Sequence, residues 1–206
     1  MKMKLFAAAA AAFLMTTSAQ AAVVTFNTSI AVPNTIDGVY INFVTGATGF
    51  SDANPPAGWD LNVFSAATNS KLAFFWQVPN GGVANSALIY QDLAPGAVVS
   101  SSSIFTSGGH DFNGQAFLGA GDHVLGFRFA NEGAGAFNYG YLNITSGGGT
   151  GFPATITGWS YEDTGAAITV ASAVPEPATW AMMIIGFGAA GSMVRSSRRR
   201  NAFSAA

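Results

Sequence analysis

Between residues 22 and 173 no stretch keeps a 3.6-residue apolar period beyond two turns, whereas short segments alternate with period two. Trp59, Leu61 and Val63 fall on one face, with Asp60 and Asn62 on the other. Phe137, Tyr139 and Tyr141 likewise oppose Asn138, Gly140 and Leu142. This pattern predicts half-buried strands over 23–28, 39–45, 59–64, 71–77, 87–92, 97–100, 123–129, 137–145, 154–162 and 166–171. The breakers between them are explicit: Asn54-Pro55-Pro56-Ala57-Gly58, Pro79-Asn80-Gly81-Gly82, Ala94-Pro95-Gly96, Ser107-Gly108-Gly109 and Ser146-Gly147-Gly148-Gly149. Short strands at such spacing predict an all-β fold, an antiparallel β-sandwich of jelly-roll type. No fixed-period repeat points to a solenoid or propeller.

Charge is distributed unevenly. Six of the eight basic residues lie at the two ends: Lys2, Lys4, Arg195, Arg198, Arg199 and Arg200. Residues 22–173 hold nine acids against two bases, Lys71 and Arg128, a net −7. Such a domain offers no electrostatic footprint for nucleic acid. The chain has no cysteine, so disulfides and thiolate chemistry are excluded. Stability must come from a hydrophobic core, which about 150 residues can supply.

The ends read as targeting segments. Lys2 and Lys4, an apolar core over 5–15 and the small residues Ala19 and Ala21 predict a signal peptide over 1–21, cut by signal peptidase after Ala21. The ectodomain then runs over 22–173. Pro175-Glu176-Pro177, within 174–178, forms a stiff extended segment because each proline fixes its own φ and restricts the residue before it. Trp180 suits a membrane interface, and the apolar run over 178–194 is about 17 residues, the lower limit for a spanning helix. Arg195, Arg198, Arg199 and Arg200 stop transfer and place the tail, 195–206, in the cytoplasm. The folded domain therefore lies outside, tethered transiently to the inner membrane.

Residues 174–200 resemble the PEP-CTERM bacterial sorting signals, in the subtype with Trp-Ala after the tripeptide. The resemblance is carried by Pro175, Glu176, Pro177, Trp180, Ala181, Met182, Met183, Gly186, Phe187, Gly188, Gly191 and the arginines. Tails of this type are also labelled as the C-terminal region of ice-binding proteins, a label that describes the tail. The resemblance implies processing at the tripeptide by an exosortase, a membrane-embedded cysteine protease. It also implies a Gram-negative cell that makes exopolysaccharide or biofilm matrix. Upstream, Gly126-Phe127-Arg128-Phe129, Tyr139-Gly140-Tyr141-Leu142 and Gly158-Trp159-Ser160-Tyr161-Glu162-Asp163 are similar to the closing strands of β-rich ectodomains bearing this tail. That similarity supports a fold and carries no activity.

Within the domain the chemical candidates compete with plain structural readings. His110-Asp111 and Asp122-His123 could form a metal site or an acid–base pair, yet their spacing matches no compact zinc signature. Asp52, Asn54 and Asp60, or Asn131 and Glu132, are oxygen donors of the kind calcium takes, although Asp-x-Asp-x-Asp spacing is missing. The alternative is solvated turn caps. No Gly-x-Ser-x-Gly elbow is present, and Ser100 to Ser103 suit a polar strand edge or loop. Glu162 and Asp163 are adjacent, so on a strand they face opposite ways and cannot serve together across a cleft. Trp59, Trp76, Trp159, Tyr139 and Tyr141 could stack on sugar rings or pack the core. Arg128 is expected beside an acid. These residues predict an exported surface protein with a structural or adhesive role rather than an enzyme, with a carbohydrate-binding module and an envelope hydrolase as rivals.

Overall fold

The computed structural model describes residues 22–67, 70–107, 116–130 and 136–171, together with Phe187. Twelve strands are assigned: β1 (Val23–Val32), β2 (Val39–Ile41), β3 (Thr48–Gly49), β4 (Leu61–Ser65), β5 (Leu72–Trp76), β6 (Gly81–Val83), β7 (Val98–Val99), β8 (Phe105–Thr106), β9 (Ala120–Ala130), β10 (Phe137–Gly147), β11 (Ala154–Glu162) and β12 (Ile168–Thr169). No α-helix occurs among the described residues up to 171. The predicted all-β, antiparallel architecture is present.

The strands form a six-stranded sheet ordered β1-β11-β10-β9-β6-β8, a four-stranded sheet ordered β3-β2-β4-β5, and a ribbon of β7 and β12. The long meander β9-β10-β11 is the spine, and β1 returns from the far end of the sequence to close its edge against β11. Register shifts on both sides of β11 around Gly158, where that glycine has φ 151°. A Cβ there would sit 2.5 Å from the Phe26 carbonyl oxygen, so glycine is what admits this bulge.

The period-two pattern separates two cores rather than a core and solvent. One face of β9 and β10 carries Leu125, Phe127, Phe129, Leu142 and Ile144 against Ile41, Leu61, Val63, Phe74 and Trp76 of the four-stranded sheet. Phe43 and Phe127 stack with centroids 4.0 Å apart in the middle of that core. Gly140 makes room for this: a Cβ on it would lie 2.4 Å from the Phe127 ring. The opposite face carries Val124, Tyr139 and Tyr141, covered by Val99, Ile168 and Val170 from the β7/β12 ribbon and its exit. The molecule is therefore three layers deep, and its central sheet is covered on both faces. The polar halves of the alternation are mostly buried too: Asp60, Asn62 and Asn138 are each under a tenth exposed. Buried polar groups need hydrogen bonds, which is where the candidate site chemistry goes.

Two predicted boundaries are corrected. Residues 87–92 form a loop with two isolated bridges, because Asn85 diverts the backbone. Its Oδ1 accepts from the amides of Ala87 (2.9 Å) and Ile89 (3.1 Å), and Leu88 adopts φ 60°. Conversely Gly81-Gly82, predicted as a turn, begins strand β6. A Cβ at Gly82 would lie 2.8 Å from Tyr90 and 3.2 Å from Trp76, so these glycines permit close packing. The short strands β3 and β8 were not anticipated either. The predicted signal peptide, tripeptide, spanning segment and arginine cluster lie outside the described residues, Phe187 excepted. Among the described residues no helix is long and apolar enough to cross a membrane.

Candidate functional site

A cleft of about 690 Å³ opens beside the central sheet, lined by Asp92, Leu93, Pro95, Asp122, His123, Asn143 and Thr157, among others, with Ala171 at its rim. Strand β9 places Asp122 and His123 on opposite faces, as adjacent strand residues must be. Asp92 comes from the loop that extends the β6 edge, bridging to Leu125. Its Oδ1 accepts from the Val124 amide at 2.8 Å, and its Oδ2 lies 2.7 Å from His123 Nδ1. His123 Nε2 lies 3.0 Å from the Gly119 carbonyl, and the ring packs 5.6 Å from Phe117.

Both ring nitrogens of His123 thus face acceptors, and only the imidazolium donates to both. Burial alone would lower its pKa. The Asp92 hydrogen bond, the Gly119 carbonyl and the charges of Asp92 and Asp122 outweigh burial and hold it above the ordinary histidine value. With both nitrogens within hydrogen-bond distance of protein acceptors, the ring is engaged by the fold. The histidine singled out in the sequence is therefore a clasp between the 92–95 loop, β9 and the 116–119 segment. Asp122, its neighbour in sequence, instead accepts from the Thr145 hydroxyl at 2.6 Å. His110 and Asp111 lie outside the described residues.

The calcium candidates do not converge. Asp52 and Asn54 are exposed on the loop after β3, while Asp60 turns inward. Asp60 Oδ2 accepts from the Phe43 amide at 2.8 Å, and Oδ1 from Asn80 Nδ2 at 2.9 Å. Asn80 Oδ1 in turn accepts from the Ala130 amide at 2.7 Å. This chain of bonds ties the two large sheets together, since Asp60 opens β4, Asn80 opens β6 and Ala130 closes β9. No group of three or more acidic or histidine residues forms a metal site among the described residues. Asn131 and Glu132 lie outside them.

The aromatic candidates divide sharply. Trp76 and Trp159 are buried in the main core, where the Trp159 indole donates to the Phe43 carbonyl at 3.1 Å. Tyr139 and Tyr141 belong to the second core. Trp59 alone reaches the surface, lying edge-on to Tyr40 (5.0 Å) and 6.1 Å from Phe75, which is 44% exposed. Tyr40, Asn62 and Phe75 are register neighbours across the outer face of the four-stranded sheet. Burial raises the Tyr40 pKa, as do the charges of Asp52 and Asp37, against a smaller opposing hydrogen bond from Asn62.

The remaining candidates are structural. Glu162 is 1% exposed and caps the turn after β11, accepting from the Thr164 amide (3.0 Å) and hydroxyl (2.7 Å) and from the Ala166 amide. Asp163 points outward, as the alternation predicts. Arg128 was expected beside an acid; among the described residues it makes no ion pair and stacks between Phe105 (4.8 Å) and Phe137 (4.3 Å). Ser100 to Ser103 close a turn, with the Ser100 amide donating to Ser103 Oγ at 3.1 Å. Asp92 and Asn80 escaped the sequence reading because their partners lie 31 and 50 residues away. The only sequence signal was position: Asn80 lies within the predicted Pro79-Asn80-Gly81-Gly82 turn, and Asp92 closes the predicted strand 87–92.

Neither a curated protein nor a solved structure matches the chain. Residues 173–200 match the family model described as the PEP-CTERM protein-sorting motif. The match includes Pro175, Glu176, Pro177, Trp180, Ala181 and the four arginines, on which the resemblance was drawn. Behind its three-layer β domain the chain therefore carries a PEP-CTERM sorting tail, the mark of an exported exosortase substrate.

Proposed function

We propose that the β domain is a non-enzymatic structural or adhesive element of the cell envelope or exopolysaccharide matrix. On this reading the 178–194 segment holds the chain in the inner membrane until exosortase acts, and the domain then reaches the cell surface. One observation carries the non-enzymatic part: Asp60, Asp92 and His123 are occupied in holding strands together, which leaves Asp122, with Oδ1 on Thr145, as the remaining acid of the cleft. Asp60 and Asp92 each spend both carboxylate oxygens on protein donors, and His123 spends both nitrogens. A general acid or base needs a proton-accepting or proton-donating atom free to meet substrate. The test is incubation of the purified full chain with matrix polysaccharide from the producing cells. Co-sedimentation without release of reducing ends is expected. Reducing-end release that disappears in Asp122→Asn would overturn the reading.

A second reading, contact with a glycan, is favoured by the outer face of the four-stranded sheet. Trp59, half-buried, and Phe75, 44% exposed, offer adjacent ring surface. Sugar rings stack on such surfaces through their C–H faces. A glycan array should lose its signals in Trp59→Ala and Phe75→Ala; signals that persist in both variants place binding elsewhere.

A further inference from the structure

The fold stays hydrogen-bonded almost up to the sorting motif. The Val170 amide donates to the Ala97 carbonyl at 2.8 Å, and the Gly96 amide donates to the Val170 carbonyl at 3.0 Å. Beyond Ala171, only Ser172, Ala173 and Val174 precede Pro175. Four Cα–Cα steps span at most about 14 Å even when fully extended. Any enzyme that holds the tripeptide must therefore work within that distance of the point where the chain leaves the β7/β12 ribbon.

The surface at that point has a distinct composition. Val98 pairs with Thr169 and Val99 with Ile168. Period two sends Val99 and Ile168 into the second core and leaves Val98, at 56% exposure, and Thr169 facing outward. Ala94, Pro95, Gly96 and Ala171 are exposed beside them. The ribbon and its flanks, residues 93–107 and 164–171, contain no charged side chain, while Asp92 and Asp122 line the adjoining cleft at whose rim Ala171 lies. A small-residue, uncharged surface permits close approach by another protein, with no charge to strip of water.

We infer that the outward face of the β7/β12 ribbon, centred on Val98, is the surface that meets the extracytoplasmic face of the exosortase during processing. This rests on the assignment of the chain as an exosortase substrate. The ectodomain is then part of what the protease must accommodate, and the tripeptide is not read in isolation. A bulky charge on the ribbon would have to be buried unpaired at that contact, slowing processing without touching the motif.

The experiment follows conversion of the full chain in the producing cells by pulse-chase. Val98→Arg, at an exposed strand position, should be processed about tenfold more slowly than the unaltered chain. Inserting about ten Gly/Ser residues between Ser172 and Ala173 in that variant should restore the rate, because the flexible linker moves the domain away. Ile36→Arg, 61% exposed in the turn between β1 and β2 beside the four-stranded sheet, should be processed normally. Equal protease resistance of the variant ectodomains in the full chain controls for folding. Normal processing of Val98→Arg overturns the inference. So does slow processing that the spacer leaves unrelieved, which would point to contact with a second copy instead. Replacement of Pro175, Glu176 and Pro177 by alanine serves as the separate control: if that variant is still processed, the sorting assignment fails rather than the ribbon contact.

Discussion

Two carboxylates hold this fold together in contrasting ways. Asp60 sits between the large sheets, 7% exposed, and spends its oxygens on neutral donors, the Phe43 amide and the Asn80 side chain. Asp92 lies near the surface, its side chain 36% exposed, and spends one oxygen on an amide and the other on a titratable ring. The buried clasp contributes through the cost of leaving its partners unpaired in a low-dielectric interior. The surface clasp contributes through a charge that pH can remove. Burial thus sets magnitude, and the partner's chemistry sets condition dependence.

The widest separation between the two should come from Asp60→Ala. Removing a buried carboxylate strands the Phe43 amide and the Asn80 amide group, a loss on the order of 3–5 kcal/mol. Denaturant melts of the full chain should show it as a large fall in midpoint. A loss below about 1 kcal/mol would mean that the clasp is solvated and the contrast false. Asn80→Ala comes next, at about 2–3 kcal/mol, since it frees the Ala130 amide and one Asp60 oxygen while Phe43 keeps its bond. The same melts test the ordering: Asn80→Ala must cost less than Asp60→Ala.

These two clasps also mark how far the sequence could be read. The alternation in 123–129 and 137–145 located β9 and β10, because period two survives whatever covers the second face. It could not tell that the second face is covered, since Tyr139 and Tyr141 look alike facing solvent or facing Val99 and Ile168. Asp60 drew attention as an oxygen donor in a loop, yet its fate depended on Asn80, 20 residues on. Asp122 beside His123 suggested the wrong partner, because strand geometry turns neighbours apart and brings in Asp92 from 31 residues away. Gly81-Gly82 misled for a related reason: glycine marks a turn and a tight packing site with the same letter. The sorting tail was readable because its order of elements needs no tertiary partner.

His123→Gln sharpens the comparison through its pH dependence. A histidine whose folded pKa is raised lends stability that is fully present below its unfolded value, near 6.5, and is lost as pH rises through the folded pKa. The variant should therefore cost about 1 kcal/mol at pH 5.5 and much less at pH 8.5, scaled to a partly exposed pair. Asp60→Ala differs in kind, its loss coming from stranded neutral donors. A His123→Gln penalty that does not change between those two pH values would mean that the ring is held neutral and donates only once.

The smallest effect, and the most discriminating, belongs to Asp122→Asn. The Asp122 carboxylate makes no hydrogen bond to the His123 ring; it acts on it through space as a second negative charge, while Oδ1 accepts from Thr145. The amide oxygen of asparagine can keep the Thr145 bond, so stability at pH 8.5 should change by under about 0.5 kcal/mol. What should move is the midpoint of the His123-dependent stability loss, shifted toward lower pH because one of the charges favouring the imidazolium is gone. An NMR titration of the His123 ring protons reads that midpoint directly. If it stays where it was, the Asp92 bond and the Gly119 carbonyl hold the proton by themselves. The surface clasp would then be as local as the buried one, differing from it only in having a partner that titrates.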